Sequence, residues 1–250
     1  MHTTVAFSMS HTHTVAFQKV DAAKDQHIRV YGEKIYIGDY NMIIGQFACV
    51  GVNGLEARVI SPTLRRVNPL YITPIDIALV PTEPIAAIFH PESPVRLETN
   101  EAMEVEVAGA VVATEQITVA VFLAPGAVPP VKGEIFTLNC AANVTAVLDE
   151  WSYSQITFPD SLPVGNYRVV GARVVRANAT VFRFVPVGEA WRPGGIAVQA
   201  VDDLDPDLQR FGGLGNWFTF NSIQPPGIEI VTSVVAGAGA FEVYIDVIKV

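Results

Sequence analysis

The feature that most constrains the fold is a pseudo-repeat at half the chain length. Shifted on itself by 125 residues, the 250-residue chain places Asn41 on Asn166, Val50 on Val175, Asn53 on Asn178 and Arg58 on Arg183. Residues 41–53 and 166–178 each read as a strand running into an Asn-containing turn, and each continues into a second alternating run, 55–60 and 180–185. That pattern predicts a tight two-stranded hairpin in both halves. The ends of the halves agree as well, since Met103-Glu104-Val105-Glu106-Val107 falls on Ile228-Glu229-Ile230-Val231-Thr232, and an Ala/Gly-rich bridge and a long apolar strand follow in each. Agreement at both ends of each half points to duplication.

Elsewhere, period-2 alternation and β-branched runs predict strands at 28–31, 34–37, 42–52, 55–60, 75–80, 103–107 and 117–123 in the first half. In the second half they predict strands at 135–140, 152–158, 167–176, 180–185, 196–200, 217–220, 228–231 and 241–250. Gly, Pro, Asn and Asp punctuate them. Short helices are expected only in loops, at 21–27 and 203–211. The expectation is an all-β chain of two tandem eight-stranded sandwiches, 21–125 and 126–250, preceded by an N-terminal arm over 1–20. In that arm Thr4-Val5-Ala6-Phe7 recurs as Thr14-Val15-Ala16-Phe17. Such beads on an uncharged thread are expected to pack on a neighbouring subunit or a lipid layer.

Composition narrows the function classes. Half of the residues are apolar and 16% charged, so the chain can bury a large core and still cover apolar surface with other copies of itself. The net charge is −9 and no basic run occurs, which disfavours a direct grip on nucleic acid. The first eighteen residues lack the basic and continuous apolar regions of an export signal. Cys49 and Cys140, without a CxxC spacing, read as small buried hydrophobes.

Few constellations could carry chemistry. His11-Thr12-His13 has the spacing of two metal ligands on one strand face, but the Glu of a cupin motif does not follow, and 126–250 contains no histidine. The acidic run Asp202-Asp203-Leu204-Asp205-Pro206-Asp207 lacks the Gly and terminal Glu of an EF-hand and reads as a solvated loop opening a helix. Asn143-Val144-Thr145 and Asn178-Ala179-Thr180 match the glycosylation acceptor pattern without a secretory context. Gly212-Gly213-Leu214-Gly215 leads into Trp217-Phe218-Thr219-Phe220, a strand and not the helix N-terminus of a phosphate cradle. Glu104 and Glu106 share one strand face, as expected of a solvated face. No catalytic, cofactor-binding or metal-binding residue is assigned.

A duplicated chain of this length, with textures such as Leu162-Pro163-Val164-Gly165-Asn166-Tyr167-Arg168, resembles the double jelly-roll major capsid proteins of tailless icosahedral viruses, at their compact, bacteriophage-sized end. The resemblance covers residues 20–250 and is one of architecture. It implies two jelly rolls, a homotrimer that tiles a shell as a pseudo-hexagon, and residence in the virion after synthesis in the host cytoplasm. It further implies contacts with other capsid or vertex proteins, an internal lipid membrane, no direct nucleic-acid contact, no cofactor and no enzymatic activity. Two other classes remain open. One is a tandem β-sandwich binding, spike or appendage protein using Trp151, Trp191 or Trp217 as an exposed platform. The other is a bicupin-type enzyme with a bound metal.

Overall fold

The computed structural model describes residues 1–76, 88–158, 162–198, 207–233 and 238–250, with only the backbone of Ile75, Asp76 and Asp207. Strand makes up 55% of the chain and helix 4%, which places it in the all-β class.

The first half carries β1 (Thr3–His13), β2 (Gln18–Val20), β3 (Val30–Tyr31), β4 (Lys34–Tyr36), β5 (Met42–Val50), β6 (Gly54–Ile60), β7 (Leu70–Ile72), β8 (Ile75–Asp76), β9 (Ile88–Phe89), β10 (Val95–Arg96), β11 (Ala102–Gly109) and β12 (Ala113–Ala124). The second carries β13 (Phe136–Val144), β14 (Ser152–Gln155), β15 (Asn166–Val175), β16 (Ala179–Val185), β17 (Gly194–Ile196), β18 (Phe218–Asn221), β19 (Gly227–Thr232) and β20 (Gly239–Lys249). They form four sheets, antiparallel except for the short β5–β8 pair.

In the second half the sheets run β13-β20-β15-β18 and β14-β19-β16-β17; numbered within that half, the orders are 1-8-3-6 and 2-7-4-5. In the first half the two six-stranded sheets run β1-β12-β5-β10, with β8 and β9 also on β5, and β3-β4-β11-β6-β7, with β2 also on β11; setting aside the short β2, β3, β8 and β9 leaves eight strands. Numbering those eight strands in chain order gives 1-8-3-6 and 2-7-4-5 again. The pseudo-repeat is kept in the fold, because β6 and β16, and β11 and β19, start 125 residues apart. The tight hairpins expected at 42–60 and 166–185 do not form: β5 pairs with β12 and β6 with β11, β15 with β20 and β16 with β19, so each Asn-containing turn carries the chain from one sheet to the other. The turns also match. Gly54 N donates to Gly51 O and Ala179 N to Arg176 O, closing the two Asn-containing turns, and Asn178 takes the left-handed conformation that Asn tolerates. Ala110 N reaches Asn53 O and Ser233 N reaches Asn178 O, so each turn is held by the connection between the last two strands of its half.

The residues 1–20 are not an arm. Residues 3–13 form β1, paired in register with β12 from Thr3–Leu123 to His13–Ala113. Val5 and Phe7 point into the core of the first half and Met9 packs against it. The bead at 14–17 is a bend whose Phe17 ring lies 3.8 Å from the Arg58 guanidinium. The helix expected at 21–27 is absent, because the Asp25 carboxylate accepts from His27 N and Ile28 N and holds a turn instead. Of the helix expected at 203–211, residues 203–206 lie outside the described residues and Asp207–Gln209 is one 3₁₀ turn. Residues 77–80 and 199–200 of two expected strands also lie outside the described residues. An unforeseen helix, α1 (Pro62–Val67), starts at Ser61, whose hydroxyl accepts from Leu64 N, with Pro62 in its first turn.

Candidate functional site

The two halves meet through a sheet that is buried on both faces. Along β12, Val119, Val121 and Leu123 face the core of the first half, while Ala120, Phe122 and Ala124 belong to a cluster shared with the second. Pairing puts Ala6 of β1 and Phe47 of β5 beside Ala120, on that same outer face. The second half answers with Val181 of β16, Val231 of β19 and Ile196 of β17, whose neighbours Phe182 and Ile230 turn to the opposite side. Small side chains on β1 let the sheets approach closely. The junction is thus continuous with the core of the second half.

One buried ion cluster sits in this junction. Arg183 of β16, fully buried, donates from Nη1 and Nη2 to the two Asp25 oxygens at 2.6 and 2.9 Å, and from Nε to Glu229 Oε2 at 2.6 Å. Its guanidinium lies 4.0 Å from the Trp151 ring, and His27 Nε2 lies 3.2 Å from Glu229 Oε1. Burial pushes the Asp25 carboxyl up, but the Arg183 bonds and two backbone N–H groups outweigh it and hold it below the usual carboxylate range. Asp25 comes from the first half and Glu229 from the second, so one cation joins both. Nearby, Ser8 and Gln116 donate to Asp149 at 3.1 and 2.6 Å, and His2 is enclosed between Gly194 and Trp217. Every group of the cluster is spent on another protein group, so its chemistry is cohesion.

The residues singled out from sequence are mostly engaged elsewhere. His11 Nε2 lies 2.8 Å from Gln18 Oε1, and His13 Nε2 lies 2.9 Å from Glu115 Oε2. Among the described residues no three metal-ligating side chains converge. Residues 202–206 of the acidic run fall outside the described residues. Burial pushes the thiols of Cys49 and Cys140 up to about 12. Glu104 and Glu106 do share an outer face, but they are ion-paired: Glu104 with Lys19, Lys34 and Arg65, Glu106 with Arg58. Gly212 and Gly215 have positive φ, and a Cβ on Gly212 would meet Val131 O at 2.2 Å, so this Gly-rich stretch is a turn pressed against the 128–131 segment. Trp151 and Trp217 are buried, and half-buried Trp191 donates to Trp217 O, which leaves no exposed tryptophan platform.

Two surfaces missed by sequence reasoning stand out. At one end of the first half, Val15, Val52, Val111 and Val112 on adjoining turns and Leu55 at the start of β6 are all more than half exposed. Beneath them Glu115 accepts from Asn53 Nδ2 at 2.8 Å and pairs with His13. The second surface is the outer face of the β4-β11-β6-β7 sheet, where Tyr31 is 78% and Tyr71 42% exposed beside Arg58. Comparison with family models, curated proteins and solved structures finds no match.

Proposed function

We propose that this chain is a structural subunit of a viral shell: a double jelly roll that forms homotrimers of pseudo-hexagonal outline and tiles a capsid. Its main support is the strand order. The order 1-8-3-6 over 2-7-4-5, traced by the eight strands of 126–250 and by the eight principal strands of 1–125, is the one a jelly roll would have, and this favours the double jelly-roll reading. Two similar sandwiches fixed by a buried junction make a rigid pair of near-equal wedges, and three such chains about an axis supply six.

The acidic balance favours a shell whose partners are further copies, other capsid or vertex proteins and an internal lipid layer over one that binds its genome directly. Residence in the virion of a compact bacteriophage-like virus follows from the same reading. Electron microscopy of the concentrated, purified protein tests it. Flat arrays or shells on a hexagonal lattice support the proposal, and dispersed single chains at every concentration refute it.

A further inference from the structure

We infer that the outer face of the β4-β11-β6-β7 sheet is a docking surface for another copy of this chain, received on the outer face of that copy's β13-β20-β15-β18 sheet. The inference rests on the shell-subunit proposal and adds to it which surfaces meet.

The chain already contains one example of the contact. Its junction joins the 1-8-3-6 sheet of one sandwich to the 2-7-4-5 sheet of the other, face to face. Such a contact is heterologous, because the two surfaces differ. With two sandwiches of one topology it leaves one sheet of each kind with no sandwich of this chain packed on its outer face: 2-7-4-5 of the first half, where Phe17 lies over Arg58, and 1-8-3-6 of the second, where Arg210 and Phe211 cover Asp246. A second copy carries the same two faces, so the contact can repeat head to tail.

Both faces have the makings of an interface. On the first, pairing and alternation line up Tyr31, Lys34 and Tyr36 with Glu104, Glu106, Arg58 and Tyr71. Tyrosine and arginine in a partly ordered setting are the residue types that dominate binding energy. Arg58 is the 125-residue equivalent of Arg183 and keeps the same cross-strand pairing, with Nε donating to Glu106 at 2.7 Å. Arg183 takes a further carboxylate from the opposing half, whereas Arg58 meets only Glu106 among carboxylates of the described residues. On the second face, Val169, Ala172, Val243 and Ile245 point inward, so Arg168, Arg173, Tyr244, Asn139 and Thr219 point outward.

The test uses two double variants of the full chain, each altering exposed side chains on one face. Tyr31→Glu with Tyr71→Glu spoils the first face, and Asn139→Glu with Thr219→Glu spoils the second. Val187→Glu, at a site 63% exposed and on neither face, is the control. Circular dichroism first verifies that each variant folds, and analytical ultracentrifugation then reads association. Each double variant alone is expected to fall from the three-chain to the one-chain mass, while the control associates like wild type. Mixed together, the two double variants should form a 1:1 dimer and nothing larger, because each retains the face the other lost. Self-association of either double variant, or a mixture that stays monomeric where wild type assembles, overturns the face assignment and leaves the shell proposal standing. A wild-type chain that never associates overturns both.

Discussion

Acidification from pH 7.5 to pH 5 removes stability through His2, beside the partly buried Met1 amino group, whose pKa burial also lowers. The His2 ring is fully buried, with Nε2 2.9 Å from Gly194 O, Nδ1 without a partner among the described residues and the Trp217 ring edge-on at 4.9 Å. Burial lowers its pKa from the ordinary 6.5 to about 4, assisted by the nearby N-terminal charge and opposed by the Gly194 bond. A histidine with a depressed folded pKa binds its proton more readily unfolded, so stability falls as pH drops below the unfolded value. With those two values the loss between pH 7.5 and pH 5 is about 2 kcal/mol, and it grows to about 3 kcal/mol below pH 4. Asp25 and Glu115, both held below the usual carboxylate range, keep their contributions through this window and lose them only at lower pH. Urea unfolding of wild type and His2→Phe at several pH values measures the difference. The other four histidines are common to both proteins, so comparing the slopes isolates His2. Wild type should lose about 2 kcal/mol more than the variant across the window. Parallel pH profiles would refute the burial argument.

Other outcomes follow from the junction and the turns. Arg183→Met leaves Asp25 and Glu229 buried without their cation and should cost about 3–5 kcal/mol in urea unfolding, part of it recovered when Asp25→Asn and Glu229→Gln are added. Phe122→Ala empties the junction and should cost about 3–5 kcal/mol by the same assay. Gly109→Ala puts a Cβ within 1.9 Å of His13 Nδ1, so it should displace His13 from Glu115 and cost about 1–3 kcal/mol, seen as a lowered Tm. Ser61→Ala removes the cap of α1 and should cost about 1 kcal/mol.

The turns at 51–54 and 176–179 are legible in the sequence because Asn stands between two alternating runs, and the 125-residue spacing specifies that this happens twice. That the flanking strands part into different sheets instead of pairing as a hairpin is not legible, because their partners β12 and β11, and β20 and β19, lie far along the chain. β1 is harder to read although its pattern is plain once the fold is known: Val5, Phe7 and Met9 alternate with Ala6, Ser8 and Ser10. The small residues resemble a polar thread because their partner surface, the outer face of the second half's 2-7-4-5 sheet, lies more than a hundred residues away in sequence. The Arg183 cluster is hidden for the same reason. Asp25 sits in a loop that reads as a helix, and only the closure of the two halves brings it to Arg183. Its one local signal is an arginine inside the apolar run 179–185, where an unpaired charge would be too costly to bury. Ser61-Pro62 is a readable helix start, outweighed by the strands on either side.

The most direct test of the central claim is native mass spectrometry of the purified full chain, paired with projection averages of the same oligomer by electron microscopy. A double jelly-roll trimer gives a species of three chains, each of 27.0 kDa, whose view down the axis shows six similar lobes from three subunits. A one-chain species that persists at all concentrations, or an oligomer with three lobes and no six-fold character, would contradict it.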